Sequence, residues 1–156
     1  MTWRLAASIV AVLLVVVYAA GSGVWTASSP GWYASLARPS WQPPDIVFGL
    51  IWPYNFVALA VVGVVVAQRG SPAAVGAWLG MAAASVVCAL AWAYLFYVPH
   101  RMGAAAIALG LAALLTAVLV GVTWTVTRGG ALALVPYLVW VWLATSLAAG
   151  YARLNP

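Results

Sequence analysis

Few side chains in this chain could do chemistry. There is one carboxylate (Asp45), one imidazole (His100), one thiol (Cys88), and no Lys or Glu. Beside them stand ten Trp, seven Tyr and three Phe in 156 residues. General acid–base catalysis needs positioned titratable groups, and Asp45 and His100 both fall between apolar runs. Asp45 directly precedes such a run, where an N-cap is its expected role. His100, beside Arg101, is expected at an interface. One Cys and one His cannot assemble a zinc site, and one Cys cannot close an intramolecular disulfide, so no metal site is expected. Proton-coupled transport usually needs a carboxylate inside the membrane, and no apolar run here contains Asp, Glu or Lys. Passive movement of a ligand survives this test. No resident cofactor is expected from this inventory. The abundant chemistry is the flat aromatic face, which suits a flat apolar partner.

The elements that must position these rings follow from composition. Hydrophobic residues make up 67% and charged residues 4%, against roughly 25% charged in soluble proteins. Neither a soluble domain nor a disordered segment can be built from this inventory. The chain reads as an all-α membrane protein, a single domain over 1–156. A span needs roughly 20 apolar residues, and five fit: approximately 3–22, 46–67, 73–97, 102–126 and 131–153. No strand pattern competes. The longest less apolar stretch, a lid loop over 23–45, holds Pro30, Pro39, Pro43 and Pro44 and cannot be one continuous helix. Arg4 and the apolar run after it also resemble a signal peptide, but a retained first helix is the more economical reading. The six basic residues are Arg at 4, 38, 69, 101, 128 and 153. They flank spans rather than forming a patch, so no nucleic-acid partner is expected. Three fall on each side, so their count does not orient the chain.

Membrane Trp usually sits in the interfacial belt. Trp3, Trp78 and Trp124 are placed there, on the side away from the loop, and Trp25, Trp32 and Trp41 lie in the loop itself. Trp52, Trp92 and Trp140 fall inside helices. At 1.5 Å per residue, Trp52 lies about 6 Å and Trp92 about 10 Å from mid-membrane toward the loop side, with Trp140 near the middle. Trp52, Asn55 and Phe56 share a face at i, i+3 and i+4. Tyr137, Trp140, Ala144 and Tyr151 share another. Asn55 is costly unless it faces the bundle interior, which turns Trp52 inward, whereas Trp142 points away from Trp140. Tyr94, Phe96 and Tyr97 add rings at the same end. Two readings stand: an aromatic cavity under the loop, or ordinary aromatic packing between helices.

The run Trp32-Tyr33-Ala34-Ser35-Leu36-Ala37-Arg38-Pro39-Ser40-Trp41-Gln42-Pro43-Pro44, followed by Phe48 and Trp52, resembles the loop-and-helix signature of the TspO/MBR family. Trp92-Ala93-Tyr94-Leu95-Phe96-Tyr97 with Arg101 is a second match. Val135-Pro136-Tyr137-Leu138-Val139-Trp140, Ala144-Thr145 and Arg153-Leu154-Asn155 form a third. The resemblance covers the loop and the second, third and fifth apolar helices. It implies an integral multi-pass bundle of five helices, often homodimeric, in a bacterial cell membrane, binding a tetrapyrrole such as protoporphyrin IX or haem as sensor or translocator. Animal relatives bind cholesterol, and some bacterial ones resemble a photo-oxidative porphyrin-degrading protein. If porphyrin is degraded here, Trp52 and Trp140 match the two pocket Trp that such chemistry uses.

Candidate ligand-binding residues are therefore Trp32, Arg38, Pro39, Trp41, Pro43, Pro44, Phe48, Trp52, Asn55, Phe56, Trp92, Phe96, Tyr137, Trp140, Ala144 and Ala148, with Arg38 placed to meet a propionate. The chain departs from the family at Ala89 and Ala148, where many relatives carry Asn, at Ala152, where many carry Trp, and at Phe56, where Tyr is usual. Asn55 is polar where the family is apolar. The loss of polar groups favours a sterol or lipid carrier as the alternative, and Leu147, Tyr151 and Arg153 fit a weak sterol-contact pattern. Gly76, Gly80, Ala84 and Cys88 recur every four residues, a ridge that suits either a homodimer contact or packing within one bundle. A comparable ridge runs through Ala113, Ala117 and Gly121.

Overall fold

A computed structural model describes residues 3–156. Its elements are α1 (Trp3–Thr26), α2 (Pro30–Ser35), α3 (Asp45–Arg69), α4 (Pro72–Tyr97), α5 (Met102–Val126) and α6 (Arg128–Leu154), with no strand among the described residues. All but α2 are long and apolar enough to cross a membrane, and the chain is an integral multi-pass membrane protein of five spanning helices.

The long helices close into a ring. α1 packs on α3 and α4, α5 on α4 and α6, and α3 on α6. Close approach is bought with small residues, as expected where helices associate without a hydrophobic drive. A Cβ on Gly63 would lie 2.7 Å from the Trp78 ring and 2.9 Å from Ala11, and one on Gly21 would lie 2.8 Å from Leu90. On the side away from the loop, Arg4 of α1 donates to the carbonyls of Ala67 (3.3 Å) and Gln68 at the C-terminal turn of α3. A cation is favoured there by the helix dipole.

Several sequence expectations shift. α1 continues through Gly21 and Gly23 to Thr26, where Ser22 and Thr26 donate to the carbonyls of Tyr18 (2.7 Å) and Gly23 (3.3 Å). The loop contains a short helix, because Pro30 starts α2 instead of breaking the chain. Arg128-Gly129-Gly130, which lie before the fifth expected span, form the first turn of α6, and Thr127 caps it by accepting from the Gly130 amide. Asp45 is not an N-cap. Pro44 holds that position and Asp45 is the first residue of α3, still near the positive end of the dipole.

Trp78 is the clearest correction. It was expected in the belt but is 1% exposed, and its indole donates to Thr123 Oγ1 at 3.0 Å. Gly63 leaves the space that lets the ring turn inward. Trp3 and Trp124 are exposed, with Arg4 and Arg128 over their rings at 4.7 and 5.9 Å. Trp142 is also exposed. His100 takes a positive φ of 55°, the left-handed turn that sends the chain from α4 into α5.

Candidate functional site

The sparse half of the ring, among α1, α3, α4 and α6, encloses a cavity of about 460 Å³ at the loop end. That lies within the roughly 300–1,000 Å³ of small-molecule pockets. Its walls are aromatic. Trp52 meets Trp140 edge to face at 6.4 Å between centroids, Phe48 meets Trp140 at 5.0 Å, and Phe56 stacks on Trp52 at 5.6 Å. Trp92, Phe96 and Tyr97 of α4 complete the opposite wall. These rings converge because Asp45, Phe48 and Trp52 follow one face of α3 at helical spacing, while Trp140, Ala144, Leu147, Ala148 and Tyr151 follow one face of α6.

Of the residues expected from the sequence, Phe48, Trp52, Phe56, Trp92, Phe96, Trp140, Ala144 and Ala148 line the cavity. Asn55 and Tyr137 lie behind its wall. Asn55 is fully buried and neither of its side-chain polar atoms has a hydrogen-bond partner. The Tyr137 ring packs in the deeper core, which also holds Ser85 and Thr116, hydrogen-bonded at 3.1 Å.

The loop residues Trp32, Arg38, Pro39, Trp41, Pro43 and Pro44 are not in the lining. Trp32, Pro39 and Trp41 instead hold the loop against the helices. Trp32 stacks on His100 at 3.7 Å and 14°. Pro39 and Trp41 cover Gly150, where a Cβ would come within 2.8 Å of each. Trp41 donates to Ser146 at 3.2 Å. Asn155 holds both the amide and the carbonyl of Ala37, at 2.9 and 3.1 Å. Arg38 is exposed. Of the sterol-pattern residues, Leu147 and Tyr151 line the cavity and Arg153 is exposed outside it.

Sequence reasoning did not select Ala19, Ser22, Gly23, Thr26, Tyr33, Asp45 and Tyr97 as ligand contacts, yet all line the cavity. Of the α1 residues, Gly23 and Thr26 fall beyond the span expected to end at 22, and Ala19 and Ser22, inside it, carry no ring to single them out. Asp45 was hidden because it was read as a cap, although it sits three residues before Phe48 and seven before Trp52 on the same face. Tyr151 lies within hydrogen-bond reach of the Tyr33 hydroxyl (3.1 Å) and of Gln42 Oε1, joining α2 and the loop to α6. No group of residues able to hold a metal ion occurs among the described residues.

The sequence profile of the TspO/MBR family matches residues 9–154. The chain is 31% identical over 132 residues to protein CrtK of Rhodobacter capsulatus, covering 82% of this chain and 81% of that one. It is 30% identical over 125 residues to a tryptophan-rich sensory protein of Cereibacter sphaeroides, covering 80% and 77%. It is 30% identical over 118 residues to the human translocator protein, covering 74% and 70%.

Proposed function

The chain belongs to the TspO/MBR family, and on that footing we propose that it binds a flat, largely apolar ligand in the cavity beneath the loop, a tetrapyrrole such as protoporphyrin IX or haem, as a sensor or translocator. The observation that carries the reading is the Trp52–Trp140 pair, set edge to face at 6.4 Å in a cavity walled by further rings. Such walls offer a macrocycle the offset and edge contacts that aromatic faces prefer. The names of the relatives, sensory and translocator proteins, agree with a role in binding or passage. A second reading, a sterol or lipid carrier, is favoured by Ala144, Leu147 and Ala148, which put aliphatic surface on the α6 wall between Trp140 and Tyr151. We also propose that the functional unit is a homodimer.

Titration of the purified protein with protoporphyrin IX tests the first reading. Trp fluorescence should be quenched at micromolar ligand, and less so in Trp52→Phe and Trp140→Phe. Absence of quenching at that concentration would sink the tetrapyrrole reading and leave the sterol one. Illumination of the complex in air, followed by absorption, tests degradation. Bleaching that depends on Trp52 and Trp140 would make the protein an enzyme. Quenching without bleaching would leave binding alone.

A further inference from the structure

We propose that the floor of this cavity holds a second contact point, at which Asn55 and the Trp140 indole take a neutral carbonyl on the ligand edge opposite the mouth. The inference rests on the reading of the cavity as a binding site for a flat apolar body and adds the chemistry of that body's deep edge.

Asn55 is fully buried, and neither its amide nitrogen nor its carbonyl oxygen has a hydrogen-bond partner. A polar group left unmet inside a bundle is unfavourable. It follows Trp52 by three residues and Phe48 by seven. At 3.6 residues per turn it therefore lies about 20° around the helix from Phe48 and about 10 Å further from the loop. Helical side chains tilt toward the N-terminus of their helix, which for α3 is the loop end. The Asn55 amide thus leans toward the cavity, beneath the contact between Phe48 and Trp140.

Trp140 lines the cavity, and its buried N–H has no partner. The Trp92 N–H of the opposite wall is in the same state. The Tyr18 ring meets Trp52 at 6.0 Å and Phe56 at 5.2 Å, and its hydroxyl makes no hydrogen bond but lies beside Tyr137. Donors are in excess at this depth. Asn55 offers an amide NH2 and each of the two Trp an N–H, against the single Asn55 carbonyl, while the phenol can serve either way. A ligand acceptor meets that excess, and it must be neutral. No charged residue lies between Asp45 and Arg69 on α3 or between Arg128 and Arg153 on α6, so a charge at the floor would be buried without a counter-charge. Charged substituents belong at the mouth, where Arg38, Arg101, Arg153 and Asp45 are exposed. Phe48, Trp52 and Phe56 are half-buried and border the void. A deep ligand edge reaches Asn55 by turning these rings, which have open space on one side.

Two porphyrins that share both propionates and differ on the opposite edge test the floor alone. Mesoporphyrin IX carries two ethyl groups there, and diacetyldeuteroporphyrin IX two acetyl groups of nearly the same size. Each is titrated by Trp quenching in an uncharged maltoside detergent. The wild-type protein should bind the diacetyl compound roughly fivefold more tightly, the scale of one net hydrogen bond. In Asn55→Leu the two affinities should converge to within about twofold, and Asn55→Ala makes the same comparison should the Leu variant not fold. The acetyl C=O stretch, followed by infrared difference spectroscopy, should move to lower frequency on binding to wild type and move less in the variant. A preference or a carbonyl shift that the variant leaves intact would overturn the proposal. Quenching of wild type by both compounds with equal affinity would keep the tetrapyrrole reading and overturn only the floor contact. Failure of both compounds to quench would instead remove the tetrapyrrole reading itself.

Discussion

The indole of Trp78 donates to Thr123 and that of Trp41 to Ser146, whereas the buried N–H groups of Trp92 and Trp140 have no hydrogen-bond partner. A satisfied buried donor contributes about 1 kcal/mol net, while an unsatisfied one costs about 1–3 kcal/mol. The two Trp without partners line the cavity and the two with partners do not. The same substitution should therefore act differently at each. Trp78→Phe removes a made bond and orphans the Thr123 environment, and should cost about 1–2 kcal/mol. Trp140→Phe removes an unmet donor beside existing empty space and should cost less, while weakening ligand quenching. Thermal unfolding in detergent followed by circular dichroism orders the two; equal losses would contradict the assignment. Gly63→Ala probes the same contact from the other side. Its Cβ would meet the buried, rigid Trp78 ring at 2.7 Å, so an overpacking cost of about 1–3 kcal/mol is expected from the same melts.

Helices and connections differ in how far the sequence discloses them. The five spans could be read because an apolar run of span length has one economical structure in a bilayer. Their ends could not, because a cap depends on side-chain and backbone bonds that several residue types supply equally well. Pro30 illustrates this: Pro breaks a helix interior but is favoured in the first turn, and here it opens α2. Most cavity-lining residues of α3, α4 and α6 could be found from helical spacing around Trp52, Trp92 and Trp140, Asp45 and Tyr97 being the exceptions. The loop indoles Trp32 and Trp41 lie outside the lining, and their aromatic type says only that they bury area, not against what. Trp32 has chosen His100, and Trp41 has chosen Gly150.

The loop is accordingly a clasp fixed at both ends, and Asn155→Ala should release one of them by removing the reciprocal bonds to Ala37. Gly150→Ala should lift Pro39 and Trp41 from α6. In both variants hydrogen exchange over residues 36–42 should rise several-fold, the scale of about 1 kcal/mol of local opening, with exchange in α5 unchanged. Unchanged exchange in the loop would show that these contacts do not hold it.

Taken as a whole, the ring is asymmetric. α5 is flanked by tight neighbours and contributes nothing to the cavity, while α1, α3, α4 and α6 divide its walls. Ligand binding and assembly can thus occupy different parts of one small bundle. The small-residue ridge on α4 decides where assembly would act. Packing within the bundle does not account for its first half, since Gly76 and Gly80 are exposed and a Cβ at either would meet nothing within 4 Å. Ala84 and Cys88 are half-buried. An outward groove of this kind gains little from lipid tails, which cannot fill it as closely as a second helix backbone can. Leu at Gly80 and Ala84 together should therefore shift the protein toward monomer in mild detergent, measured by sedimentation. Because that face lies apart from the cavity lining, the monomer should keep the wild-type quenching affinity. A dimer unchanged by both substitutions would exclude the α4 ridge as the contact. A monomer that also lost quenching would mean that the cavity depends on the second copy for its shape, which the ring of intramolecular contacts around it argues against.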